Sequence, residues 1–160
     1  MASSIHHKPA SDNFKRAKLL IIEDDADHWL VMQKVLAHCL PDVSLMCVNN
    51  ANEALQLMND WCTQEWELPK LIVQDLYMPN RATGWEVLQQ LKQLPSPGSH
   101  IPVIIFSSSN NTEDIAQAYK LGAASYLVKP VDAESWSAFL NELCIYWWEV
   151  VTLPPIQFSI

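Results

Sequence analysis

Glycine is scarce in this chain: three residues in 160, and none follows the first apolar run. A flavin- or dinucleotide-binding sheet uses a glycine-rich turn at that point, so that backbone N–H groups can approach phosphate. Acids stand there instead, and acids repel phosphate unless a metal intervenes. Basic residues are also few. Ten Lys and Arg face eighteen Asp and Glu, for a net charge of −8. That balance argues against nonspecific contact with nucleic-acid phosphates and against an anionic membrane surface. No apolar run approaches the roughly 20 residues that span a bilayer. Met1–Arg16 has no apolar signal-peptide core, so a cytoplasmic location is expected. The four cysteines, Cys39, Cys47, Cys62 and Cys144, form no CxxC pair and sit among apolar residues. They read as buried free thiols rather than as a metal site.

What is present suits one globular domain: 49% hydrophobic residues and enough length for a sizeable core. The organising stretch is Leu71-Ile72-Val73-Gln74-Asp75-Leu76-Tyr77-Met78-Pro79. Its apolar run is too short for a typical helix and contains Ile and Val, so it reads as a buried strand with Asp75 at its carboxyl end. Four more strands are expected at Ala17–Ile22, Val43–Val48, Ile101–Phe106 and Ala124–Val128. Helices are expected between them. The first is capped by Asp27 and runs to about Leu40. The second follows the Asn50–Glu53 capping box and fades by Glu67. The third spans Trp85–Leu94, after a loop from Met78 to Thr83. The fourth runs from Asn111 or Thr112 to Leu121, and the last from Asp132 to Val151. Strict alternation of strands and helices implies a parallel sheet covered on both faces.

Several strands then end in polar chemistry on one edge: Glu23 and Asp24, Asp75, Ser107, and Lys129. Three successive acids, Glu23-Asp24-Asp25, are costly at a strand end unless solvated or neutralised by a cation. Clustered carboxylates without His or Cys suit a hard divalent ion such as magnesium. Lys129 adds a fixed positive charge and Ser107 a hydroxyl donor. Together these groups form a phosphoryl-transfer kit in which Asp75 attacks phosphorus and becomes an acyl phosphate.

The stretches Leu20-Ile21-Ile22-Glu23-Asp24, Gln74 to Pro79, Pro102 to Ser108 and Gly122 to Pro130 resemble the receiver domain of two-component response regulators, over about Lys18 to Val150. The resemblance implies a flavodoxin-like (βα)5 fold with strand order 2-1-3-4-5. It implies Asp75 as phosphoacceptor, with Lys129 and Ser107 assisting. It implies a Mg2+ site formed by Asp24, Asp75, the Tyr77 backbone carbonyl and, mainly through water, Glu23. Ser107 and Tyr126 match the switch pair. Two departures stand out: the Asp75–Gly84 loop is one residue longer than is usual in the family, and Glu65–Lys70 is extended. The expected organisation is a flexible tail over 1–16, a receiver domain over 17–151 and a C-terminal tail over 152–160, with no output domain. Such a protein signals by protein contact, or passes phosphate to a histidine phosphotransfer protein, and catalyses only its own phosphorylation and dephosphorylation.

Two alternatives belong to other classes. Aspartate-nucleophile phosphatases of the haloacid dehalogenase type carry a second Asp two residues after the nucleophile. Tyr77 stands there, so the general acid is missing. A degenerate receiver acting only as a binding module is opposed by the intact Asp75, Asp24, Ser107 and Lys129 set.

The last helix is apolar over much of its circumference and holds Trp136, Trp147 and Trp148. A homodimer seam through Phe139, Leu143, Tyr146, Trp147 and Val150 is expected, with a folded-back tail as the competing reading. The segment Val150–Pro154 is similar to the tail of cyanobacterial receivers that serve phytochrome-type kinases, which points to such a sensor histidine kinase as partner.

Overall fold

The computed structural model describes residues 17–155; the tail expected at 1–16, and residues 156–160, lie outside that range. Five strands, β1 (Lys18–Ile22), β2 (Ser44–Val48), β3 (Leu71–Gln74), β4 (Val103–Ser107) and β5 (Ser125–Val128), form one parallel sheet in the order β2-β1-β3-β4-β5. The order is the expected one. Five α-helices connect and follow the strands: α1 (Ala26–Cys39), α2 (Ala51–Cys62), α3 (Arg81–Lys92), α4 (Thr112–Lys120) and α5 (Ala133–Cys144).

The strands divide the core by simple alternation. Leu20, Ile22, Ile72, Val103, Ile105 and Tyr126 face α2, α3 and α4, where they meet Met58, Val87, Leu88 and Ala118. Leu19, Ile21, Leu71, Val73, Ile104 and Phe106 face α1 and α5, where they meet Met32, Leu36, Trp136 and Leu140. Both faces of the central strands are therefore buried, as their near-continuous apolar runs require.

Three helix ends differ from expectation. Asp25, not Asp27, caps α1: its carboxylate accepts from the backbone N–H of Asp27 at 2.9 Å and of His28 at 3.1 Å. Asp27 sits in the first turn, where a negative charge meets the helix dipole favourably. The third helix begins at Arg81 instead of Trp85. Asn80 caps it by accepting from Thr83 N at 3.0 Å, a signal hidden by the helix-weakening glycine four residues on. The last helix changes winding at Ile145, and Ile145–Val150 is a π-helical turn. The wider turn lets two consecutive tryptophans, Trp147 and Trp148, both point inward. The thiols also differ: Cys144 is buried, but Cys39, Cys47 and Cys62 are only half-buried.

Gly84 is required by contact. A Cβ built there would lie 1.8 Å from the Leu76 carbonyl oxygen, and its own carbonyl accepts from Gln74 Nε2 at 2.8 Å. Helix α3 thus lies directly on the backbone leaving β3. Gly84→Ala is expected to destabilise the fold by at least about 2 kcal/mol, despite the better helix propensity of Ala. Urea denaturation checks this: a midpoint equal to wild type or higher would refute the contact.

Candidate functional site

The sheet register builds the site. Ile22 lies opposite Val48 on one side and Gln74 on the other, Gln74 opposite Ile105, and Ser107 opposite Val128. The next residue of β1 is Glu23, of β3 Asp75 and of β5 Lys129, so three charged groups emerge on one edge of the sheet, the first two from neighbouring strands and Lys129 from beyond β4. Backbone bonds continue the ladders to hold them: Glu23 N donates to Val48 O at 3.0 Å, Asp75 N to Ile22 O at 2.9 Å and Lys129 N to Ser107 O at 2.8 Å.

Lys129 is 4% exposed, and its ammonium makes three short contacts. It donates to Glu23 Oε2 at 2.7 Å and to Asp75 Oδ2 at 3.1 Å, and lies 2.9 Å from His28 Nδ1. His28 carried no role in the sequence reading. It is brought in because α1 begins directly after the acids, so its first turn faces back over Lys129. Glu23, Asp24 and Asp75 place one carboxylate oxygen each within 4.8 Å of one another. Asp25 contributes to the cap instead, so the acidic triplet divides between two tasks.

Electrostatics follow from crowding. Burial and the adjacent Asp75 carboxylate push the Glu23 carboxyl up to about 7, against the pull of Lys129. Burial and Asp75 also raise Asp24, which remains on the exposed rim. In contrast, the His28 backbone N–H leads the effects that hold Asp25 below the usual carboxylate range. An all-oxygen donor set in which burial and a neighbouring carboxylate raise the proton affinities of Glu23 and Asp24 is the environment a hard divalent cation relieves. The residues present therefore fit such an ion, with Asp24 open to its hydration shell.

Ser107 is fully buried, and its hydroxyl accepts from Ser109 N at 3.3 Å. The Tyr126 hydroxyl donates to the Ser109 carbonyl at 2.8 Å, and the ring is already inside, at 9% exposure. A second network, absent from the sequence reading, ties the same loop down. Asp114, 2% exposed, accepts from Ser109 Oγ at 2.7 Å and from Arg81 Nη1 at 2.6 Å. Burial alone would raise the Asp114 carboxyl, but the bonds from Ser109 and Arg81, with a further one from Tyr77, outweigh it and hold it low. Its sequence signal was only an acid in the first turn of a helix.

The five residues expected at the seam divide. Leu143 and Trp147 are buried in the chain's own interior, whereas Tyr146 and Val150 are 55% and 59% exposed. Phe139 is partly buried against the core, stacked on Phe106. Leu153 is buried in the same cluster, so the segment after the π-helical turn does fold back.

This fold, with acids and a lysine at the carboxyl edge of its sheet, defines a class. Residues 19–141 match the response regulator receiver domain, and the chain belongs to that family. Response regulator Rcp1 of Synechocystis is 29% identical over 137 residues, which cover 85% of this chain and 92% of that protein. Among solved structures, the phosphorylated cyanobacterial phytochrome response regulator RcpA aligns at TM-score 0.77 and 25% identity, covering 87% of this chain and 99% of its own. The Mn2+-bound form of Rcp1 aligns at TM-score 0.75 and 28% identity, with the same coverage. Neither the phosphatase nor the degenerate-module alternative is favoured. Receiver domains bind a divalent metal, in keeping with the carboxylate cluster. No helix among the described residues is long and apolar enough to cross a membrane.

A pH dependence follows from Glu23. Its proton is held more tightly in the folded chain, near 7, than in the unfolded chain, near the ordinary 4.5. Between those values the folded state binds more protons, so without a divalent cation stability falls as pH rises. Urea midpoints are expected to be higher at about pH 6 than at about pH 8, and Glu23→Gln should flatten the difference. A midpoint that rises across this interval in the metal-free wild type would contradict the assignment.

Proposed function

We propose that the chain is a single-domain response regulator, in which Asp75 accepts a phosphoryl group from the phosphohistidine of a sensor kinase. The carrying observation is the placement of Asp75 at a strand end, between the acids of β1 and the ammonium of Lys129. An oxygen of Asp75 attacks phosphorus in line, the O–P bond forms, the N–P bond breaks and the histidine nitrogen leaves with the bonding pair. Lys129 then shares its donors with the phosphoryl oxygens. Asp24, Asp75, the Tyr77 carbonyl and, through water, Glu23 would hold Mg2+, which supplies neutralisation of the charge on the transferring group.

Ser107 next gives up its bond from Ser109 and donates its hydroxyl to a phosphoryl oxygen. The Ser109 carbonyl moves with it, and Tyr126 follows through the hydroxyl that bonds this carbonyl. The β4–α4 loop and the α4–β5 face thus report the charge at Asp75 by a shift of population. The likeness to RcpA supports a phytochrome-type histidine kinase as donor; the proposed output, in the cytoplasm, is protein contact or transfer of phosphate to a histidine phosphotransfer protein.

With acetyl phosphate and magnesium, wild type is expected to acquire one phosphoryl group on a phosphate-affinity gel and Asp75→Asn none. Asp24→Asn should need a much higher magnesium concentration for the same extent. Full phosphorylation of Asp75→Asn would remove the assignment.

The same proposal includes a homodimer. Phe139, Leu143, Tyr146 and Trp147, with Ser125 and Leu127, line a groove of about 320 Å3. Tyr146 is exposed there, and Ile145 and Val150 of the same π-helical turn are exposed as well. Exposed aromatic and β-branched side chains around an apolar groove are the composition of an interface. Because Trp147 is buried, an acid there would test folding, so the informative variant is Tyr146→Glu/Val150→Glu. Sedimentation at micromolar concentration is expected to give a dimer for wild type and a monomer for the variant. A monomeric wild type excludes the seam.

A further inference from the structure

We propose that Cys39 and Cys144 are a dithiol pair that closes reversibly into a disulfide clamping α1 to α5, a modification site separate from the acid pocket. Cys39 is the last residue of α1 and Cys144 the last of α5 before the π-helical turn. The Cys39 thiol reaches across the helix pair: its Sγ donates to Asn141 Oδ1 at 2.6 Å. Asn141 and Cys144 are one helical turn apart, and residues at that spacing share a face. The Cys39 sulfur is also among the groups that raise the Cys144 thiol, after burial. Both side chains belong to the cluster packed between α1, α5 and the sheet. The Cys39 thiol therefore stands against the face of α5 that carries Cys144.

The other two thiols are placed differently. Cys47 contacts the backbone of Glu23 and Val48, and Cys62 packs against Gly98 on the other face of the sheet. Neither has a cysteine partner in these contacts.

The pair has an entry side and a resolving side. Cys39 is half-buried and Cys144 is buried. Burial, then the Cys39 sulfur, push the Cys144 thiol far up, and Cys39 is the member of the pair that a reagent can reach. The reaction partner is a small-molecule disulfide such as oxidised glutathione. The Cys39 thiolate attacks one of its sulfurs, the S–S bond breaks, and the first small thiol leaves with the proton from Cys39. Cys144 then attacks Cys39 Sγ, gives its proton to the second leaving thiol, and the internal disulfide forms. Two protein thiols are oxidised, one small disulfide is reduced to two thiols, and no other oxidant is needed. The bond would fasten α1 immediately before the segment that presents Tyr146 and Val150.

The test uses the full chain exposed to oxidised glutathione, followed by alkylation of remaining thiols and peptide mass analysis. Wild type is expected to lose two alkylatable thiols and to yield a linked peptide containing Cys39 and Cys144. Its thermal midpoint should rise by several degrees and return on reduction. Cys144→Ser should stop at a glutathione adduct on Cys39, whereas Cys39→Ser should show neither adduct nor rise. Both variants should still be phosphorylated by acetyl phosphate, which shows that they fold. A wild type that keeps four free thiols, stops at a Cys39 adduct, or links Cys39 between two chains overturns the proposal. So does oxidation confined to Cys47 or Cys62.

Discussion

Two carboxylates that have lost most of their water share one ammonium, and the rest of the site depends on that arrangement. Glu23 and Asp75 emerge from neighbouring parallel strands, where the register leaves them no freedom to separate. Lys129 reaches both from the far side of β4, at 2.7 and 3.1 Å. An unpaired charge in such a position costs several kcal/mol, so the lysine is structurally necessary before any chemistry is considered. It does not fully satisfy the acids, because Glu23 still holds its proton too tightly. The residual repulsion leaves the pocket short of positive charge. A hydrated cation beside Asp24 and a transferring phosphoryl group can both enter a site that already contains its permanent counterion.

Much of this was legible in the sequence for a physical reason. Parallel strands buried on both faces read as short apolar runs, and each polar residue ending such a run marks the same edge of the sheet. Asp75, Glu23, Asp24, Ser107 and Lys129 were found in that way, and the sheet order came from a family resemblance carried by the same stretches. Groups whose role depends on a side chain crossing between elements were not legible. His28 looks like one more polar residue on an amphipathic helix, and its position over Lys129 follows from where α1 starts. Asp114 looks like a first-turn acid, yet it is buried beneath Arg81 and Ser109. Asn80 was masked by Gly84, whose weak helix propensity is outweighed by its fit against the Leu76 backbone.

The last helix shows how winding changes the reading of a pattern. At α-helical spacing, Trp147 and Trp148 cannot both lie near the middle of one buried stripe, so the pattern reads as an apolar surface too wide for one face. The π-helical turn rotates both inward, and Leu153 closes over the same cluster. Much of the apparent excess is thereby absorbed within the chain. What remains outside is smaller, made of Ile145, Tyr146 and Val150, with Tyr146 lining the groove at Phe139.

The Arg81–Asp114–Ser109 network bears on how sharply this domain responds. Ser107 bonds the Ser109 backbone, the Ser109 hydroxyl is fastened to Asp114, Asp114 to Arg81 at the start of α3, and Tyr126 to the Ser109 carbonyl. No member of that set can relocate without a neighbour losing a bond, and Ser107, Asp114 and Tyr126 are buried, where an orphaned polar group is expensive. The loop must then change as one unit. Intermediate positions are disfavoured, so each molecule holds one arrangement or the other, and a graded input would be read as the proportion of molecules in each, which makes the segment a digital element rather than an analogue one.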